Sequence, residues 1–374
     1  MTMPTTTFTQ IFGDRAASGI YAGAETVLHF GSPAGELEAL RTGCAAFDLG
    51  WRGKLVVSGE DRVRWLNGMV SNNTRDLTQD HGNYNFVLSP QGRIQADMVA
   101  YQRGDFYLVE TEAAEVPVLK EIFERYIIMD DVEIGDVSTR LVSLGVAGPK
   151  AEEVLSRAGL VPEGLTLEAM KAGQLADGQW SGAGTANAAG YTLVKDAVAR
   201  RGWFELWLAP ENVERVWRAL LAAGATPVGA VALEWQRILL GLPRIQDMGK
   251  ALPPETGQEY ALHYSKGCYI GQEIVERINA RGQVHRRLVG LVLEGAAPVA
   301  GTKLLGAGPD GAAEAKEVGE IASGAEIEIN GVKHNLALAY VRQEFLTGLK
   351  KDSAEVAVMA AGVAARVVAL PFTL

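Results

Sequence analysis

The stretch from Tyr84 to Thr111, YNFVLSPQGRIQADMVAYQRGDFYLVET, does most to limit what this chain can fold into. It reads as strand, turn, strand, turn, strand, with Ser89-Pro90-Gln91-Gly92 and Arg103-Gly104-Asp105 as the turns. Links this short join antiparallel neighbours, because a parallel pair needs a long crossover. Lys54–Gly59 (KLVVSG) is a strand ending in a turn, and Val63, Leu66 and Val70 of EDRVRWLNGMV follow at helical spacing. AAEVPVLKEIFERYIIM is an amphipathic helix, VEIGDVS and RLVSLGVAG are strands, and PKAEEVLSRAGL is a helix with proline in its first turn. ENVERVWRALLAAGATPVG is a further helix, closed by glycine. Residues up to about Leu40 read as a helical or irregular entry. This alternation argues α+β rather than a doubly wound parallel sheet. Neither a dinucleotide-binding glycine fingerprint after a strand nor a P-loop pattern occurs.

After His285 the texture changes to short β-runs punctuated by glycine, with Asn330-Gly331 as a strong hairpin signal. A separate small β-barrel or sandwich is expected there, with the boundary near Gln283–Arg286. The length of 374 residues fits two or three domains. The net charge of −10 disfavours direct nucleic-acid binding. MTMPTTTFTQ shows no basic-then-apolar leader, and Arg366 interrupts VAVMAAGVAARVVALPF, the most apolar run. The expectation is a cytoplasmic protein without a membrane span.

Only two cysteines occur, Cys44 and Cys268, and neither sits in a CxxC pair. A disulfide scaffold or cysteine-rich zinc site is therefore not expected. Cys268 lies in KGCYIGQE, Lys266–Glu273, and GQEIVERINARG after it has helical spacing with Gly271 as N-cap. Free N–H groups at a helix start, with Lys266 nearby, favour a thiolate, and the flanking glycines leave a sulfur accessible. The residues alone leave two readings open: a reactive thiol, or a small buried cysteine in a glycine turn. Cys44, in RTGCAAFDLG, reads as core. His263 and His285 flank the motif, but without a partner pattern no metal site is expected.

KGCYIGQE resembles the K-G-C-Y-x-G-Q-E signature of YgfZ-type proteins, relatives of the glycine-cleavage aminomethyltransferase, the T-protein. The resemblance extends over AAFDLGWRGKLVVSGEDRVRWLNGMVSN, GNYNFVLSPQGRIQADMVAY and RILLGLPRIQDM, and over VGEIASG, LALAYVR and VVALPF in the C-terminal part. It implies an α+β, three-lobed T-protein-like ring with a C-terminal small β-barrel. Residues 8–282 would form a two-lobed folate-binding region, and 286–372 the aminomethyltransferase-like barrel. Tetrahydrofolate is the implied cofactor. Iron–sulfur enzymes or cluster-assembly proteins are the implied partners, and some relatives carry a tRNA-modification label.

Departures from the T-protein pattern matter. GRIQAD keeps one carboxylate, Asp97, beside Ala96, where the T-protein has an aspartate pair. Gly190-Tyr191-Thr192 continues Leu-Val-Lys, so the glutamate of the family's G-Y-T-G-E is missing, and Glu205 in WFEL is the next matching carboxylate. The resemblance thus implies working residues Cys268, Lys266 and Asp97, and a folate site of Tyr84, Asp97, Glu205 and Arg237. Arg277, Arg281, Arg286 and Arg287 suit the folate tail or a solvated face equally. The leading expectation is a tetrahydrofolate-dependent protein that supports iron–sulfur cluster assembly or repair. Its alternatives are an aminomethyltransferase of the glycine-cleavage type and a non-catalytic folate-binding module. Whether the chain is an enzyme stays open at this stage.

Overall fold

The computed structural model describes residues 7–12, 16–182, 188–198, 202–249, 251–282, 284–306, 316–348 and 357–374. Residues 1–6 of MTMPTTTFTQ, residues 199–201 of the run before WFEL, and Gln283 of the expected boundary lie outside the described residues. The chain divides into two compact units that are not contiguous in sequence. One comprises Met1–Val87, Ala96–Leu233 and Tyr260–Ile270; the other comprises Leu88–Gln95, Glu234–Glu259 and Gly271–Leu374. The chain passes from one to the other inside KGCYIGQE.

The strand–turn–strand–turn–strand reading holds, with strands His81–Leu88, Ile94–Gln102 and Tyr107–Glu112. They continue into Arg52–Ser58 and Glu133–Asp136 as a five-stranded sheet in that order. Tyr107–Glu112 is the middle strand, and all six of its residues are buried. Period two sorts this sheet's side chains. Leu55, Val57, Ala96, Met98, Ala100, Tyr107 and Val109 join Trp65, Leu66, Leu119 and Phe123 in one apolar core. Trp65 and Leu66 come from the helix Arg62–Met69, and Leu119 and Phe123 from Val116–Arg125, where the i, i+3, i+7 spacing makes a single apolar stripe. Full burial of each such large side chain stabilises by about 1.5–3 kcal/mol. The alternate residues Arg52, Lys54, Asp97, Tyr101, Glu110 and Glu112 fall on the opposite face.

A six-stranded sheet follows the order Leu175–Trp180, Ala189–Lys195, Trp203–Leu208, Val142–Ala147, Ala45–Asp48 and Thr226–Val228. Its core holds Cys44, Leu144, Val146, Leu193, Phe204, Leu206, Val216 and Trp217, so Cys44 is core as expected. The residues between these, Ser143, Glu205 and Trp207, face the first sheet: the Tyr101 and Trp207 rings meet edge to face at 5.0 Å.

Two elements differ from the sequence reading. The entry segment contains a hairpin, Ala17–Tyr21 with Ala24–His29, turned by Ala22 and Gly23 at φ of 52° and 77°. Ala-Gly is not a strong turn pair, and an alanine at positive φ is unusual, which is why the pattern hid it. Thr226–Val228 is a short strand parallel to Ala45–Phe47, and only tertiary pairing makes it one.

In the second unit six strands close into a barrel. The order is Arg286–Leu293, Val332–Arg342, Lys316–Ile329, Lys303–Gly306, Ala357–Ala360 and Val363–Val368, and the last pairs with the first. Closure removes both sheet edges. Asn330 and Gly331 make the expected hairpin turn at φ of 52° and 75°. The helix Gln272–Arg281 starts at Gly271, with φ of 81°, as its spacing predicts. A Cβ at Gly271 would lie 2.5 Å from the Ser89 carbonyl oxygen, so glycine is required there. No helix among the described residues is long and apolar enough to cross a membrane.

Candidate functional site

The polar face of the five-stranded sheet carries charges that an apolar face would not need. Arg52 and Glu112 are directly opposed across two strands, as are Lys54 and Glu110. Lys54 is fully buried. Its ammonium donates to Glu110 Oε1 at 3.0 Å and to Ser143 Oγ at 2.6 Å, and lies 5.3 Å from the Trp207 ring centre. Arg52 lies 3.6 Å from Glu110 Oε2. Burial pushes the Glu110 carboxyl up, but Lys54 and Arg52 together outweigh it and hold it below its ordinary range.

Glu205 is buried on the facing sheet, where its Oε2 accepts from the Trp207 indole N–H at 3.1 Å. Burial, with Glu110 as a like-charge neighbour, pushes its pKa up to about 7. Glu205 is the direct cross-strand partner of Val194. Val194 occupies the fifth position of the run that begins Gly190-Tyr191-Thr192, where the G-Y-T-G-E pattern has its glutamate. Opposed residues of an antiparallel pair share a face, so Glu205 and Val194 lie on the same side of this sheet.

Tyr84 and Asp97 are brought together. The Tyr84 hydroxyl donates to Asp97 Oδ2 at 2.6 Å. Asp97 Oδ1 is shielded from solvent and has no hydrogen-bond partner among the described residues. Burial and the nearby Glu112 raise the Asp97 pKa above its ordinary value, against the Tyr84 hydrogen bond and Arg52, which lower it. Burial and Asp97 push the Tyr84 phenol well above its usual range. The Tyr260 ring, partly exposed, meets Tyr84 edge-on with centroids 5.5 Å apart. Asp97, Glu205, Glu110 and Glu112 all act on Arg52, which they hold firmly protonated although burial works against it.

Cys268 is exposed, while burial pushes the Cys44 thiol up to about 12. The expectation gave Lys266 to the Cys268 thiolate. Instead, its three N–H groups go to the carbonyl oxygens of Asn67 and Val70, each at 2.7 Å, and of Asn72. The end of the helix Arg62–Met69 leaves carbonyls without helical partners, and a cation satisfies them. Arg237, on the helix Ala230–Leu240 and expected at the folate, donates to Glu234, Asp247, the Leu242 carbonyl and Ser323. Its guanidinium ties this helix to neighbouring segments of the second unit. Of the arginines after the cysteine, Arg277 pairs with Glu273, and Arg286 with Glu255 and Glu320.

Residues 13–263 match the GCVT N-terminal domain, and residues 286–373 match the glycine cleavage T-protein C-terminal barrel domain. The chain belongs to the glycine cleavage T-protein family. An aminomethyltransferase of Geobacillus sp. (strain WCH70) is 27% identical over 366 residues, covering 94% of this chain and 93% of that protein. An aminomethyltransferase of Anoxybacillus flavithermus is 30% identical over 284 residues, covering 72% and 74%. The crystal structure of the glycine cleavage system aminomethyltransferase T from Bartonella henselae superposes with a TM-score of 0.80 at 18% identity, covering 100% of this chain and 98% of that one. The T-protein fold, α+β with a closed six-stranded barrel, is therefore shared. Asp97, Tyr84 and Glu205 lie within the matched N-terminal domain, whereas Lys266 and Cys268 fall between the two matched spans.

Sequence reading passed over Arg52, Lys54, Glu110 and Glu112. The signal was present: two charges two residues apart in each of RGKLVVS and YLVETE, both otherwise strand-like. Opposite charges at matching period-two positions of two strands mark a buried cross-strand pair once the strands are known to be neighbours.

Proposed function

We propose that this chain is a folate-dependent one-carbon transferase of the aminomethyl type, with Asp97 as its working carboxyl group. The observation that carries this reading is Asp97 Oδ1, shielded and without a partner among the described residues, in a carboxyl group bonded to Tyr84, whose ring meets that of Tyr260. A buried orphan oxygen is costly unless a ligand completes it. A pterin, planar and edged with N–H donors, suits a carboxylate with aromatic rings nearby. Glu205, opposite Val194, supplies a second carboxyl group on the face where the family pattern has one. Bound tetrahydrofolate would supply the atom that accepts the one-carbon unit. Asp97 would hold or move a proton at Oδ1, with Tyr84 fixing the orientation of its carboxyl plane. The names of the matched relatives support the same reaction class.

A second reading is favoured by one specific observation: Cys268 is exposed within KGCYIGQE. On that reading the protein is YgfZ-like and supports iron–sulfur enzymes or their cluster assembly, tRNA-modifying radical enzymes included. Both readings concern a cytoplasmic protein. Calorimetry with tetrahydrofolate tests the ligand: saturable binding weakened by Glu205→Ala is expected, and no binding at millimolar ligand would remove both readings. A reconstituted glycine-cleavage assay then separates them. Formation of methylenetetrahydrofolate from an aminomethyl-lipoyl carrier, lost in Asp97→Asn, supports the transferase. No turnover, together with rescue of an iron–sulfur radical enzyme that requires Cys268, supports the second reading.

A further inference from the structure

The Lys266 side chain sits at the centre of a set of bonds that join the KGCY segment to the loop after the helix Arg62–Met69. The Ile270 amide donates to the Gly68 carbonyl at 3.2 Å, and the His263 amide to the Ser71 carbonyl at 3.2 Å. Ser71 Oγ donates to the Ala261 carbonyl at 2.6 Å. The Lys266 ammonium, between these, closes on the carbonyls of Asn67, Val70 and Asn72. Three convergent acceptors require three donors, which only the protonated amine provides. These carbonyls therefore favour the charged form against burial and the nearby Arg75, which push the Lys266 pKa down to about 7.

The same loop leads to the Asp97 pair. Asn72 Nδ2 donates to the Tyr84 carbonyl at 3.0 Å and to the Tyr260 carbonyl at 2.8 Å, so one amide holds the backbones of both tyrosines. The Asn72 backbone amide in turn donates to Asn85 Oδ1 at 3.2 Å, the Ser71 amide donates to the Phe86 carbonyl at 3.0 Å, and the Phe86 amide donates to Ser71 Oγ at 2.9 Å. Tyr84 then reaches Asp97 Oδ2. A cation on the Asn72 carbonyl thus fixes the residue whose side chain sets the two tyrosines. Lys266 is not among the charges that govern Asp97 acidity; these are Glu112 and Arg52.

We propose that Lys266 is a positioning residue, whose ammonium pins the 67–72 loop so that Asn72 sets Tyr84 and Tyr260 against Asp97. The KGCY motif is thereby coupled to the carboxyl group through packed, hydrogen-bonded neighbours. This places Lys266 in support of the Asp97 site proposed above. Its test is read on ligand-free protein, so its failure is distinguishable from failure of the folate reading.

The measurement is carboxyl-carbon NMR titration of protein labelled at aspartate Cγ, with the Asp97 resonance assigned by Asp97→Asn. Tyr84→Phe removes a bond to the charged form and is expected to raise the Asp97 midpoint by about one pH unit. Lys266→Met should move the same midpoint in the same direction, and should add nothing in a Tyr84→Phe background. Asn72→Ala, which cuts the link downstream of the lysine, should reproduce the shift. A folded Lys266→Met protein with the wild-type Asp97 midpoint would overturn the proposal. So would a shift that persists undiminished in the Tyr84→Phe background, because Lys266 would then act by another route. If Lys266→Met does not fold, Asn72→Ala decides: a wild-type midpoint there overturns the proposal in the same way.

Discussion

The Tyr84 hydroxyl donates to Asp97 Oδ2 at 2.6 Å, and the other oxygen of the same carboxyl group is shielded without a partner among the described residues. One oxygen is therefore anchored and the other has its hydrogen-bonding capacity unfilled. A general acid–base group in the role proposed above for Asp97 contributes roughly 10²–10⁴-fold to rate. Asp97→Asn should lose transferase activity by about that factor while retaining the wild-type circular dichroism spectrum. In the pH–rate profile the limb due to Asp97 should lie above the ordinary carboxylate range, and should move further up in Tyr84→Phe. An Asp97→Asn enzyme with near-wild-type turnover would rule out the assigned role.

Glu205 gives a pH-dependent stability with a defined sign. Its pKa is raised from the ordinary 4.5 to about 7 in the folded protein. The folded state therefore holds its proton more tightly than the unfolded state. That contribution is complete below 4.5 and is lost as pH rises through 7. Its full size is about 3 kcal/mol. Glu205→Gln lacks the titration and mimics the protonated form. Denaturant unfolding should show the variant gaining on wild type as pH rises from 5 to 8. A stability difference that stays flat across this window would contradict the assignment.

Lys54 and Glu110 form a buried ion pair, with side-chain exposures of 0% and 1%. Removing one partner leaves the other charge buried, which typically costs about 3–5 kcal/mol. Lys54→Met should approach that loss in guanidinium unfolding, tempered by Arg52 near the same carboxylate. Adding Glu110→Leu should restore most of it, because an apolar pair avoids both desolvation penalties. By contrast, Arg218→Ala, which breaks a pair with Glu214 on an exposed helix surface, should change stability by less than about 1 kcal/mol.

The two cysteines should react very differently. Cys268 is exposed, whereas Cys44 is buried with its thiol pushed up to about 12. Iodoacetamide should alkylate Cys268 in the native protein while Cys44 reacts only after unfolding, as followed by peptide mass mapping. Comparable native rates would mean that the Cys44 core opens readily.

The sequence by itself determined the antiparallel core of the fold. Short turns after Leu88 and Gln102 leave consecutive strands no other way to pair. Glycine texture and Asn330-Gly331 were enough to expect the barrel's β-structure, because a turn that needs positive φ is written in residue types. Tyr84 and Asp97 were picked out as candidate site residues through the family resemblance, and the structure brings them together; Cys44 was legible as core through its small apolar neighbours.

Tertiary structure alone decided the partners. Glu205 could be picked out as a carboxylate, but only strand register shows that it stands opposite Val194. Arg52, Lys54, Glu110 and Glu112 look like ordinary strand charges until two strands about 55 residues apart are found side by side. Lys266 differs most from its sequence reading. In one dimension its nearest chemical neighbour is Cys268, two residues away. In three dimensions its acceptors are carbonyls of Asn67, Val70 and Asn72, nearly two hundred residues earlier in the chain. Local sequence records which groups a side chain carries, and those fix turns, periodicity and helix starts. Which group a buried charge must satisfy depends on what the fold brings within about 3 Å, and that is a property of long-range packing.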